Sequence, residues 1–352
     1  GACASFSLPY RYDALLPEKE YVLNIDFVRR ESCAWAEQGE TAMSEQFILP
    51  PRAPAQEAPY TGGGPVRYEK SGRRLTVTSP GTEAVFENGV LTALSFGAGN
   101  ILKDGVRPSF FGAPTDNDIG NFNFAPAFKF LSPALRRKKP GRAKKVHVRA
   151  EEDSVTVTVR WRAAFTRNVE TRYTFAPDGG IRVSFQATAS VFDFTRAGLM
   201  MTLDGRFGRV EYYGRGPEEN YSDRCTGSPL GVYRSDVRSL EHRYMRPQEN
   251  GNRTGVRDLT FEAPEGALCF TALGADGFSF SAHQYTDLAL HRAAHLHELP
   301  YGVDTVLHID AAQCGVGGDM PGVACLHEPY VMKHGHPFRI DFTIRGSHIK
   351  QD

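Results

Sequence analysis

The chain lacks the patterns that announce several common chemistries. Its six cysteines, at positions 3, 33, 225, 269, 314 and 325 of 352, form no C-x-x-C pair. That argues against a zinc cluster and against a small disulfide scaffold, and favours reduced thiols in a cytoplasm. Long apolar runs are absent: Ala197-Gly198-Leu199-Met200-Met201 falls far short of the ~20 residues a membrane helix needs. No charge sign dominates, because 41 Lys and Arg balance 41 Asp and Glu. Nothing global therefore draws the chain to nucleic acid or to an anionic membrane. There is no P-loop, dinucleotide fingerprint or nucleophile elbow. Residues Gly1 to Ser7 carry no basic head before an apolar core, so they do not read as an intact signal peptide.

Hydrophobic residues at 41% and charged residues at 23% suit an ordinary globular protein with a sizeable core. The apolar residues alternate with period two, as in Val155-Thr156-Val157-Thr158-Val159-Arg160-Trp161 and Ile181-Arg182-Val183-Ser184-Phe185. That is the pattern of strands with one buried face. Glu87-Asn88-Gly89 and Pro177-Asp178-Gly179-Gly180 separate such runs and predict hairpins. Short helices are expected only at Ala125 to Leu135 and Tyr285 to Ala294, both without good caps. The chain reads as all-β.

The stretch 51–65 is too rich in proline and glycine to enter a sheet and reads as a linker. Before it, residues 1–50 supply two good strands, 20–29 and 44–49, too few for a complete sandwich. After it, residues 66–352 suit one large antiparallel β-sandwich.

Four places carry candidate chemistry. Asp116-Asn117-Asp118 opens like a calcium loop, but position twelve is Ala127 where a bidentate Glu is required, so the acids are read as bracing an irregular turn. The loop YYGRGPEENYSDR (212–224), with Arg215, Glu219, Asn220 and Arg224, suits sugar binding, domain docking or an internal arginine–carboxylate brace. Glu249, Asn250 and Arg253 repeat that chemistry some thirty residues on, and the two loops are expected to be neighbours. His283, His291, His295, His297 and Glu298 invite a metal or an acid–base pair. With His295 and His297 placed on a strand, structural histidines and no metal site are the expectation. The basic run 136–145 lacks aromatics and reads as a solvated connection.

Taken in order, FFGAPTDNDIGN (110–121), YYGRGPEENYSDR (212–224), RPQENGNRTGVRDL (246–259), HLHEL (295–299) and IDAAQCGVGGD (309–319) resemble the C-terminal domain of the large β-galactosidases of glycoside hydrolase family 2. The resemblance runs from about Val66 to Arg345, and residues 20–49 resemble the last strands of the immunoglobulin-like domain before it. It implies a galactose-mutarotase-like supersandwich preceded by a partial immunoglobulin-like sandwich. The family cleaves terminal β-galactosides such as lactose with two glutamates on a (β/α)8 barrel, with magnesium and sodium nearby. A barrel needs roughly 250 residues of alternating strand and helix, which this chain does not contain.

The resemblance thus implies a non-catalytic small chain or C-terminal region, with no catalytic residue and no cofactor of its own. Its partners would be a catalytic large chain and galactoside at a shared edge, with no nucleic acid or membrane, in an assembled oligomer. In relatives a tryptophan follows the G-x-G-G-D turn and stacks on substrate; here Pro321 or Gly322 stands there, leaving Asp319 and Met320 to rim the site. Two rival readings remain. One is a stand-alone mutarotase-like epimerase using His283 or His297 opposite a carboxylate. The other is a carbohydrate-binding module, which would need Trp35, Trp161 and the tyrosines as an exposed platform.

Overall fold

The computed structural model describes residues 19–49, 63–97, 99–120, 141–191, 193–318 and 326–348, with positions 3–5, 7 and 16. The helix expected at Ala125 to Leu135, Asp319, Met320 and residues 321–322 lie outside these. The chain forms two compact units, 1–57 and 58–352.

In the first unit, β1 (Tyr21–Val28) pairs antiparallel with β2 (Thr41–Leu49), from Tyr21 opposite Leu49 to Val28 opposite Thr41. Phe27, Val28, Met43, Phe47 and Ile48 are exposed. A two-stranded ribbon by itself is marginal in water, and these exposed apolar side chains are the part of it that burial elsewhere would stabilise. Trp35 is 78% exposed, with the Arg29 guanidinium 4.4 Å above its ring.

The second unit is a sandwich of two nine-stranded antiparallel sheets. In chain order its strands are β3 (Arg67–Ser71), β4 (Arg74–Ser79), β5 (Thr82–Glu87), β6 (Val90–Ser95) and β7 (Leu102–Ser109). After the short helix α1 (Asp116–Gly120) come β8 (Gly141–Ala150), β9 (Val155–Ala163), β10 (Thr166–Phe175), β11 (Ile181–Ala189), β12 (Arg196–Leu203), β13 (Arg209–Arg215) and β14 (Leu230–Asp236). Then follow β15 (Arg253–Val256), β16 (Asp258–Ala263), β17 (Gly266–Ala272), β18 (Phe278–His283), helix α2 (Asp287–Arg292), β19 (Thr305–Gln313) and β20 (Pro337–His348).

One sheet runs β14-β13-β16-β17-β20-β11-β10-β9-β8 and the other β15-β18-β19-β12-β7-β6-β5-β4-β3. The alternating residues of β9 and β11, from Val155 to Trp161 and from Ile181 to Ala189, are buried between them. Phe86 meets Tyr173 and Phe175 edge-on at 5.3 and 6.2 Å, tying the sheets together. Trp161 is buried and donates from Nε1 to Thr171 Oγ1 at 3.0 Å.

The predicted turns form. Asn88 and Gly89, at φ 52° and 81°, join β5 to β6, since a two-residue hairpin of matching twist needs positive φ at both positions. Two expectations change. Helix α2 is capped after all: Thr286 Oγ1 accepts the Ala289 N–H at 3.2 Å. His295 and His297 lie on no strand but flank and enter a single 3-10 turn, Leu296–Glu298. Of the basic run, Arg142, Lys144 and Lys145 are exposed on β8, which lies at the edge of its sheet among the described residues. Among the described residues no helix is long and apolar enough to cross a membrane, and the five described cysteines are free.

Candidate functional site

Strands β18 and β19 are buried along nearly their whole length because both faces are covered. Leu307 and Ile309 enter the core, so the alternation of β19 turns His308 and Asp310 to the opposite face. The chain around 110–120 and the connections 216–229, 241–252 and 284–304 supply the partners found there.

The loops 212–224 and 246–254 are neighbours, as their shared chemistry predicts. Asn220 Oδ1 accepts the Thr254 N–H at 2.9 Å, and its Nδ2 donates to the Arg215 and Glu218 carbonyls at 3.0 Å. Asn252 Nδ2 donates to the Asn220 carbonyl at 2.8 Å. Glu219 accepts from the Gly251 N–H at 2.6 Å, from Arg224 at 2.5 Å and from the Tyr244 hydroxyl. Arg215 donates to the Ser228 carbonyl at 3.0 Å, and Arg253 to the Leu240, Gly251 and Pro217 carbonyls at 2.7 to 3.0 Å. These side chains mostly replace regular secondary structure for backbone groups that the loops would otherwise bury unpaired.

Asp116, Asn117 and Asp118 sit in α1 rather than in an irregular turn. Asp116 pairs with Arg246 and accepts from Gln248 Nε2 at 3.1 Å. Asn117 Nδ2 donates to the Val316 carbonyl at 2.9 Å. Asp118 Oδ2 accepts the Thr115 N–H at 2.8 Å, while burial pushes its carboxyl upward.

Asp223 Oδ1 and Oδ2 accept the N–H groups of Val316 and Gly317 at 3.2 and 2.7 Å, fastening the glycine-rich turn to the 212–224 loop. A Cβ on Gly315 would stand 2.5 Å from Asp223 Oδ2, which is why that position has no side chain. These pieces enclose a cleft of about 620 Å³ bordered by Thr115, Asn117, Asp223, Arg224, Tyr244, Gln248, Glu249, the backbone at 316–318, His327 and Tyr330. That volume suits a small polar ligand.

Behind the cleft lies a buried charge network whose other members the sequence did not mark. Arg196 Nη2 donates to Glu249 Oε1 at 3.0 Å, and Arg196 Nε stands 3.4 Å from Asp310 Oδ2. Glu249 also accepts from Gln313 Nε2 at 3.0 Å and from the Ala113 N–H at 3.2 Å. Burial raises the Glu249 and Asp310 carboxyls, only partly offset by Arg196. His308 Nε2 lies 3.2 Å from Asp287 Oδ2. Burial pushes the Asp287 carboxyl up, but His308 and Arg196 outweigh it and hold it well below the usual range.

The two histidines of the epimerase reading part company. His283 is buried, stacks on Tyr285 and sits 3.1 Å from Asn250 Oδ1; burial drops its pKa to about 3. His297 is exposed, and neither histidine borders the cleft. Of the carboxylates bordering the cleft, Asp223 accepts from the Val316 and Gly317 N–H groups and Glu249 from Arg196, Gln313 and the Ala113 N–H.

The architecture is therefore that of a large two-sheet β-sandwich with a polar cleft walled by side-chain-braced loops. Residues 78–344 match the family described as beta galactosidase small chain, and the chain belongs to that family. It is 29% identical over 335 residues to a β-galactosidase of Priestia megaterium, covering 93% of this chain and 31% of that protein. A β-galactosidase of Halalkalibacterium halodurans is 28% identical, with 92% and 32% covered. The chain thus spans about a third of the length of these relatives. Galactose 1-epimerase from Lactobacillus acidophilus is more distant, with 8% identity, a TM-score of 0.43 and coverage of 80% and 98%.

Proposed function

We propose that this chain is the non-catalytic small-chain part of a glycoside hydrolase family 2 β-galactosidase, walling one edge of a galactoside site carried mainly by a (β/α)8 catalytic region. The observation that carries the reading is the convergence of the loops 110–118, 212–224, 246–254 and 309–318 on one cleft, within the segment the family match spans. Retaining hydrolysis needs two carboxyls ~5 to 5.5 Å apart and free to act as acid and nucleophile. Asp223 is instead held by two backbone N–H groups and Glu249 by Arg196, Gln313 and Ala113, so both serve the scaffold. On this reading Asp319 and Met320 extend the rim, magnesium and sodium belong to the catalytic region, and the assembly works on lactose-like substrates in the cytoplasm as an oligomer.

The test is complementation. The chain alone should leave a chromogenic β-galactoside intact and leave the mutarotation of galactose unchanged in a polarimeter. Addition of a matching large chain should restore cleavage. Hydrolysis by the isolated chain, or epimerisation by it, would overturn the reading.

A further inference from the structure

The connection between β18 and β19 brings together His295, His297 and Glu298, none of which borders the cleft. One ligand atom from each lies within 4.8 Å of the other two, and all three residues are exposed. The turn beneath them is fixed. Glu298 Oε2 accepts the Ala294 N–H at 2.7 Å and the His295 N–H at 3.4 Å, while Oε1 stands 3.3 Å from His295 Nδ1. The imidazoles of His295 and His297 stack at 5.4 Å with planes 19° apart. On the inner side, Leu290, Ala293 and Leu299 close a small apolar cluster with Tyr285, so the backbone holding the three donors is anchored.

We propose that His295, His297 and Glu298 form a binding site for a divalent transition-metal ion of the zinc, nickel or copper class. Two imidazoles and one carboxylate match the donor preference of these ions, whereas magnesium and calcium take oxygen sets. Tetrahedral coordination with bonds of ~2.0 to 2.1 Å places ligand atoms about 3.4 Å apart. His295 Nδ1 and Glu298 Oε1, 3.3 Å apart, already have that spacing, and Glu298 keeps its Oε2 on the backbone of the turn. Three protein ligands leave a position open to water or to a donor from another polypeptide. The site stands whether or not the chain serves a galactosidase, since it uses no residue of the cleft.

The experiment uses the full chain, stripped with EDTA and alkylated with N-ethylmaleimide so that the exposed Cys3 and Cys33 thiols do not compete. Calorimetric titration with zinc chloride, and separately with nickel chloride, should show one site. His295→Ala and His297→Ala should each weaken it by at least about tenfold. His334→Ala, which alters the exposed pair His334–Asp193 instead, should leave it unchanged. Circular dichroism establishes that each variant is folded, and His297→Gln serves as a second variant. Absence of zinc binding by the parent chain, or binding undiminished in the double variant H295A/H297A, would overturn the proposal.

Discussion

Arg196 and Glu249 meet at 3.0 Å with both side chains buried, 53 residues apart in sequence. The guanidinium also faces Asp310, so one cation balances two carboxyls in the interior. Removing one partner of such a set leaves charge without compensation, which costs more than the pair itself contributes. Arg196→Ala should lower the unfolding free energy by about 3 to 5 kcal/mol. Glu249→Gln, which keeps an acceptor near Arg196, should cost less. Urea unfolding of the two variants measures the order, and equal stability of Arg196→Ala and the parent chain would contradict the account.

The pH dependence follows from His283. Its unfolded imidazole takes up a proton near the ordinary value of 6.5, whereas the folded one does so only near 3. Between those values the unfolded state holds more protons, so stability falls as pH falls, by up to ~1.4 kcal/mol per pH unit. The depressed Asp287 adds to this loss at lower pH, because its contribution disappears as the folded carboxyl is protonated. Glu249 and Asp310, raised in the fold, act oppositely: their contribution is present at low pH and lost as pH rises through their folded values. Stability curves from pH 7 to 4 should slope downward toward acid, and His283→Gln should flatten the upper part of that slope.

At the glycine-rich turn, Gly315→Ala would drive a methyl group against Asp223 Oδ2. The carboxylate would have to leave the N–H groups of Val316 and Gly317, at an expected cost of about 1 to 3 kcal/mol. Amide exchange at 316 and 317 should accelerate while that of β11 stays slow. Complemented activity should fall with it, if the turn borders the assembled site.

The two tryptophans provide an optical check. Trp161 is buried between the sheets and Trp35 is exposed. The variant Trp35→Phe should emit at short wavelength and resist quenching by iodide; Trp161→Phe should emit at long wavelength and quench readily. Galactose should leave the Trp161 signal unchanged, as a core residue requires, and a galactose-induced shift there would revive the sugar-platform reading.

The sequence made visible whatever rests on local pattern. Alternation in β9 and β11 exposes their buried faces residue by residue, and Asn88-Gly89 marks its hairpin. Shared composition made neighbours of the 212–224 and 246–254 loops before any contact was known. What stayed hidden depends on pairing across the fold. Nothing near Arg196 shows that it meets Glu249 and Asp310, and the polar face of β18 and β19 is masked because loops bury it as thoroughly as the core. His308 and Asp310 are recognisable only through the oddity of ionisable residues placed inside an otherwise apolar strand. For His295 and His297, the spacing fitted a strand equally well; the Glu298 cap decides the turn instead.

Among the described residues strand β8 pairs with β9 alone and carries exposed Arg142, Lys144, Lys145 and Arg149, the last paired with Glu151 at 2.8 Å. A second copy aligning on that margin would bring its own Arg142, Lys144 and Lys145 toward these cations. Repulsion between these cations would oppose lateral pairing of two sandwiches, and raising ionic strength is the condition under which that opposition should weaken.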